Sequence, residues 1–257
     1  MRTVIIGSGN VATILGEKIY LAEHEVVQVF SRNITNASVL ASKIGTSSCN
    51  NKALLDHTAD LYIISVSDSA VAEIAGWLNV KDKIVVHTAG SLSIDLIKNC
   101  STRIGILYPL QTIRKETFEL PEMPILIDGN NQETINVIYE FAYSLSTNVH
   151  VADDEKRSGL HVAAVMVNNF SNYLYTLAAD YCRNENLDFK LLVPLINETS
   201  DRLKYLAPME VQTGPAVRND RVTIETHLKR LEKYPELVEF YKLFTKKILS
   251  FYNKDKS

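Results

Sequence analysis

Cysteine is scarce: Cys49, Cys100 and Cys182 are the only three in 257 residues. An odd number at wide spacing offers neither a disulfide framework nor a CxxC pair for a metal, so reduced thiols, no metal and a cytoplasmic setting are expected. Excess charge of either sign is also lacking, with a formal net charge of −3. Nucleic acid and anionic membrane both call for a basic face, so neither is an expected partner. Long apolar runs are missing as well. Thr3–Ile6 stops at Gly7, far short of a membrane span or of a signal peptide's apolar core. The mildly basic stretch from Lys246 to Lys256 reads as a solvated terminus. Repeats and low-complexity segments are absent. What the chain does have is 46% hydrophobic content, enough for a well-buried core in one large or two modest domains.

In the first half, short apolar runs alternate with amphipathic stretches, which implies a mostly parallel sheet wrapped by helices. Strands are predicted at Thr3–Ile6, Val26–Phe30, Leu61–Ser65, Ile84–His87, Ile104–Tyr108 and Pro124–Ile127, with Asn148–Val151 as a last edge strand. Helices are predicted at Val11–Ala22, Ala70–Leu78 and Gln132–Leu145. From Asp154 to about Asn184 the pattern is helical throughout, with Leu160, Ala163, Val167, Phe170, Leu174, Leu177 and Tyr181 at helical spacing. Further helices are expected at Phe189–Leu206 with a kink at Pro194, at Asp220–Lys233, and from Pro235, a first-turn proline, to Tyr252. No strand is expected after Val151. The fold class is therefore α/β: a Rossmann domain over 1–152 and an all-helical domain over 153–257.

Strand Thr3–Ile6 runs straight into Gly7-Ser8-Gly9-Asn10-Val11-Ala12 and then a helix. This is the GxGxxG/A arrangement in its proper context. Gly7 permits the tight turn, Gly9 lets backbone approach a pyrophosphate, and Ala12 allows helix to pack on strand. The helix N-terminus supplies free N–H groups for the anion. The end of the second strand bears on NAD against NADP. NAD binders usually carry an acidic residue there for the ribose 2′-hydroxyl, but this chain has Ser31-Arg32-Asn33, and Glu25 lies at the wrong end of the strand. Ser31 and Asn33 can hydrogen-bond a 2′-phosphate while Arg32 pairs with its charge. NADP is the expected cofactor.

Ligands of open α/β sheets lie off the carboxyl ends of the strands, and polar groups gather there: Ser65-Val66-Ser67-Asp68, His87-Thr88-Ala89-Gly90-Ser91 and Tyr108-Pro109-Leu110-Gln111-Thr112. Ser65, Val66 and Ser67 are assigned to the cofactor, and Asp68 to a helix N-cap. His87 is either a structural hydrogen bonder or a substrate contact, and Gly90 marks a close backbone approach. On the long helix His161, Val165 and Asn168 share one face. The asparagines there are either satisfied within the fold or turned to a ligand. A last cluster, Thr213-Gly214-Pro215-Ala216, leads to Arg218 and to Asp220, which caps the next helix.

Taken together, these residues resemble the NADP oxidoreductases with a Rossmann-like N-terminal domain and an uncharacterised helical C-terminal domain. The carrying motifs are the glycine turn, His87–Ser91, Tyr108–Thr112, and Thr213–Ala216 with Arg218, Asp220 and His227. More distantly the chain is similar to pyrroline-5-carboxylate reductase and to the 6-phosphogluconate dehydrogenase-like hydroxyacid dehydrogenases, which implies a helical second domain that forms a homodimer. The hydroxyacid dehydrogenases carry a catalytic lysine three residues before an Asn-Asn pair. This chain has Val165 there, ahead of Asn168-Asn169, so lysine-dependent chemistry is not expected.

The expected function is NADPH-dependent reduction of a small polar carbonyl or imine compound. His161, His87, Asn168 and Arg218 are the candidate catalytic residues. His161 has the most suitable chemistry, because an imidazole changes protonation near neutral pH. The alternative is an NADP(H)-binding sensor without turnover, since a fold does not imply a reaction.

Overall fold

The computed structural model describes residues 1–113 and 123–252. The final residues of the basic tail lie outside them. The described chain forms two compact units, Met1–Asn169 and Phe170–Ser257.

The first unit is built on an eight-stranded sheet in the order β3-β2-β1-β4-β5-β6-β7-β8. Its strands are β1 (Arg2–Ile6), β2 (Glu25–Phe30), β3 (Ser47–Cys49), β4 (Leu61–Ile64), β5 (Ile84–His87), β6 (Arg103–Pro109), β7 (Ile125–Gly129) and β8 (Val149–Val151). Every pairing is parallel except β6 with β7. Among the described residues the longer helices between the strands are α1 (Asn10–Leu21), α2 (Ile34–Lys43), α3 (Asp68–Ala75) and α4 (Gln132–Leu145).

Alternation along each strand divides the apolar side chains between two cores. Ile5, Ile63 and Val86 join the core under α1, α2 and α4, while Val4, Ile6, Tyr62, Ile64 and Val85 join the core under α3. This explains why the strands read as continuous apolar runs. The order fixes the site too. From β1 the chain first moves outward to β2 and β3, then returns to β4 on the other side of β1. The switch point, where ligands bind in such sheets, is the crevice between the carboxyl ends of β1 and β4.

Beyond Val151 every described element is helical: α5 (Asp154–Ala164), a π-helical turn (Val165–Phe170), α6 (Ser171–Asn184), a short 3₁₀ turn (Phe189–Leu192), α7 (Val193–Arg202), α8 (Pro208–Val211), α9 (Arg221–Arg230) and α10 (Pro235–Tyr252). The change from sheet to helix falls where the pattern placed it. The compact units, however, divide later, at Asn169/Phe170, because α5 is tied to the loop after β5. Pro194 opens α7 rather than kinking a longer helix; the missing N–H of proline is harmless in a first turn. Asp220 caps α9, accepting from the Thr223 N–H at 3.1 Å. Within the second unit Tyr173 meets Phe240, and its hydroxyl donates to Glu236 at 2.6 Å.

Candidate active site

The β1–α1 turn forms the floor of the crevice. Gly7 adopts φ 130°, and a Cβ there would stand 1.9 Å from the Ser65 carbonyl oxygen, so no other residue fits. Its N–H donates to the Phe30 oxygen at 2.8 Å, which fastens the turn to β2. Gly9 is the N-cap of α1, and a Cβ added there would meet no protein atom within 4 Å. The space over Gly9 and over the unpaired N–H groups that open α1 suits a pyrophosphate. Ser8 Oγ donates to Ser31 Oγ at 2.9 Å, which joins the turn to the end of β2.

A cavity of about 550 Å³ runs from this turn past Ser31, Arg32 and Asn33, then along Ser65, Val66 and Ser67 to Gly90, Tyr108 and His161. The residues assigned to the cofactor, Gly7–Val11, Ser31–Asn33 and Ser65–Ser67, all line it or its floor. Asn33 caps α2 through its side-chain oxygen, accepting from the Asn36 N–H at 3.0 Å, which leaves the amide N–H donors for an anion. Arg32 reaches across to Glu73 of α3, at 3.1 Å. Asp68 does not cap α3; Ser67 holds the cap position. The Asp68 carboxylate instead accepts from Ser91 Oγ at 2.9 Å.

At the far end Tyr108, on β6, meets His161, on α5, with the hydroxyl 2.8 Å from Nδ1 and the rings edge to face. Burial, reinforced by Asp68 and opposed by Arg157, raises the Tyr108 phenol above its usual pKa. Gly90 is the reason the two can meet. A Cβ there would lie 2.8 Å from His161 Nδ1 and 2.9 Å from Tyr108 Cζ. A second cavity, about 600 Å³, opens on the other side of the same pair, between Leu110–Ile113 and the α5 end of the helical stretch. Asn168 donates its side-chain N–H to Thr112 Oγ1 at this wall, and Val165 and Asn169 also line it. The π-helical turn widens the spacing here, a feature frequent at functional sites.

His87 requires a correction. Its ring is fully buried, with Nε2 3.3 Å from the Ser93 oxygen and Nδ1 accepting from the Ala89 N–H at 3.2 Å. It braces the 88–93 loop from beneath and lines neither cavity. Arg218 belongs to the other compact unit, exposed on the turn before Asp220.

Three residues stand out that the sequence pattern did not assign. Tyr108 looked like one polar strand end among several. Glu73 sits within an ordinary amphipathic helix, with no local signal. Arg157 is fully buried, though its spacing from Asp154 resembles a surface pair. Its Nη2 donates to Asp154 at 2.6 Å and to the Leu92 carbonyl, and the Asp154 carboxylate accepts from the Ile94 N–H at 3.2 Å. Together they fix the loop that carries Gly90.

Residues 2–90 match the family described as NADP oxidoreductase, coenzyme F420-dependent, and residues 123–248 match the domain of unknown function DUF2520. A Bacteroides fragilis protein provisionally assigned as an NADP oxidoreductase is 36% identical, over 97% of this chain and 98% of that one, with a TM-score of 0.89. The chain belongs to this NADP oxidoreductase family. The fold of this oxidoreductase is shared by the 1-pyrroline-5-carboxylate reductase of Streptococcus pyogenes, at 12% identity, 97% and 98% coverage and TM-score 0.66. It is shared also by a reductive aminase of Aspergillus terreus, solved with NADPH and ethyl-5-oxohexanoate, at 16% identity, 96% and 94% coverage and TM-score 0.70. No curated protein matches the chain significantly by sequence. A nicotinamide cofactor is what the family uses, and the floor formed by Gly7, Gly9 and the α1 N-terminus fits its pyrophosphate.

Proposed function

We propose that this oxidoreductase is an NADPH-dependent reductase of a small polar carbonyl or imine compound. One observation supports this above the others: Tyr108 and His161, in hydrogen bond, line both the cofactor cavity and the second cavity. NADPH, when bound, supplies the hydride. The chain's task is to place the acceptor carbon beside the nicotinamide and to deliver a proton to the oxygen or nitrogen that becomes basic. Tyr108 keeps its proton at neutral pH, since burial raises its pKa, and so suits a neutral donor. As its proton leaves, His161 Nδ1–H can restore it, and the imidazole is then re-protonated from solvent. Asn168 and Thr112 offer hydrogen bonds to the substrate's uncharged polar groups.

The fold shared with a reductive aminase and a pyrroline-5-carboxylate reductase supports a C=N acceptor alongside a carbonyl. The sensor reading draws its support from Val165, which stands where hydroxyacid dehydrogenases have their lysine. The test is native mass spectrometry for bound nucleotide, followed by an NADPH-oxidation screen across carbonyls and imines. With a substrate found, His161→Ala is expected to lower turnover roughly 10²–10⁴-fold with NADPH affinity little changed. Bound NADPH with no oxidation of it across the panel would favour the sensor.

A further inference from the structure

A cation and a carboxylate meet at the ribose end of the cofactor cavity. Arg32, just past β2, places Nη1 3.1 Å from Glu73 Oε2, and both residues line the cavity. Lys52 Nζ stands 3.9 Å from the other Glu73 oxygen, and 4.9 Å from the centre of the Trp77 ring. The Glu73 carboxylate thus holds the contact on Arg32 that a 2′-phosphate would take. It is also the kind of group that accepts a hydrogen bond from a ribose 2′-hydroxyl, though it comes from α3 rather than from the end of β2, where NAD binders usually carry it.

We infer that Glu73 sets the discrimination between the two dinucleotides. It stands in for the 2′-phosphate on Arg32, yields to it when NADPH binds, and accepts from the 2′-hydroxyl when NADH binds. This rests on reading the cavity as a dinucleotide site with its ribose at Arg32. The exchange is cheap, because the Arg32 and Glu73 side chains are 72% and 46% exposed, and such pairs are weak and screened by salt. What remains after the exchange is a carboxylate close to a doubly charged phosphate, and that repulsion holds the preference for NADPH down. The chain therefore binds both nucleotides, with NADPH ahead by less than Arg32 alone would give.

Calorimetry of the full chain with NADPH and with NADH tests this. Glu73→Gln keeps the shape and removes the charge, and it should widen the preference for NADPH by up to about fivefold, the range expected for an exposed charge contact. Glu73→Ala should shift it in the same direction. In an Arg32→Ala background Glu73→Gln should still weaken NADH, but the gain for NADPH should shrink, since the carboxylate no longer competes for Arg32. An unchanged or narrowed preference in Glu73→Gln, with both nucleotides bound by the parent, would overturn this inference and leave the cofactor reading intact. Binding of neither nucleotide to the parent would overturn both.

Discussion

The ring of His87 has no access to water, and burial holds its pKa down to about 4, against 6.5 for the free side chain. The folded chain therefore carries this imidazole neutral, while the unfolded chain protonates it below pH 6.5. Between those two values the unfolded state binds more protons, so stability falls as pH drops through this window, by up to about 3 kcal/mol at its foot. His87→Asn should flatten the decline between pH 6.5 and 5, above the range where most carboxylates titrate. An equally steep decline in the variant, followed by thermal melts, would mean that His87 is not the group responsible. The residue also shows why a sequence reads ambiguously here. A histidine at the carboxyl end of a parallel strand can face the ligand or turn under the loop, and the choice depends on Ser93 and Ala89, whose positions no local pattern specifies. Tyr108 is the converse case. It is a strand-end tyrosine, and its importance comes from His161, which only the tertiary fold brings within 2.8 Å.

Elements were legible in proportion to how much apolar surface they bury. β1, β4 and β5 are enclosed on both faces and show as unbroken apolar runs, and α4 begins and ends where its pattern does. β3 is a three-residue edge strand, Ser47-Ser48-Cys49, and has no room for alternation. α2 buries only Ala37, Leu40 and Ala41, so its signal is the Asn33 cap more than its periodicity. The helical stretch after Asp154 was visible, but its attachment to the sheet unit was not, because that depends on Arg157 passing inward to the Leu92 carbonyl. Among the described residues Nε and Nη1 of this guanidinium have no hydrogen-bond partner, so Asp154 is its main compensation. Asp154→Ala should cost about 3 kcal/mol, the range for removing one partner of a buried ion pair. Glu155→Ala next to it should stay within about half a kcal/mol. Denaturant melts of the two variants check this; equal stabilities would show that Arg157 does not depend on Asp154.

Taken as a whole, the chain distributes its burial unevenly. Among the described residues beyond Asn169, the only buried apolar side chains are Cys182 and Ala216, while Phe170, Leu191, Leu195, Met209 and Val222 are 60–77% exposed. Apolar helical surface on that scale asks for a cover. We therefore propose a two-fold homodimer through the helical unit, as the family resemblance also implies. Light scattering at micromolar concentration should give twice the 28.9 kDa chain mass, and a monomer mass would contradict it. No helix among the described residues is long and apolar enough to cross a membrane, so this surface is not explained as a membrane span.

We propose that the cleft over Gly7 and Gly9 takes NADPH, with its 2′-phosphate at Ser31, Arg32 and Asn33. Calorimetric titration of the parent and of Arg32→Ala with NADPH and NADH addresses it most directly. The parent is expected to bind NADPH more tightly than NADH. Arg32→Ala is expected to lose most of that preference, at a cost on the order of 1.5–3 kcal/mol in NADPH binding for a charge-assisted contact to phosphate. Equal affinity of the parent for the two nucleotides, or a preference for NADPH that survives Arg32→Ala unchanged, would contradict the account.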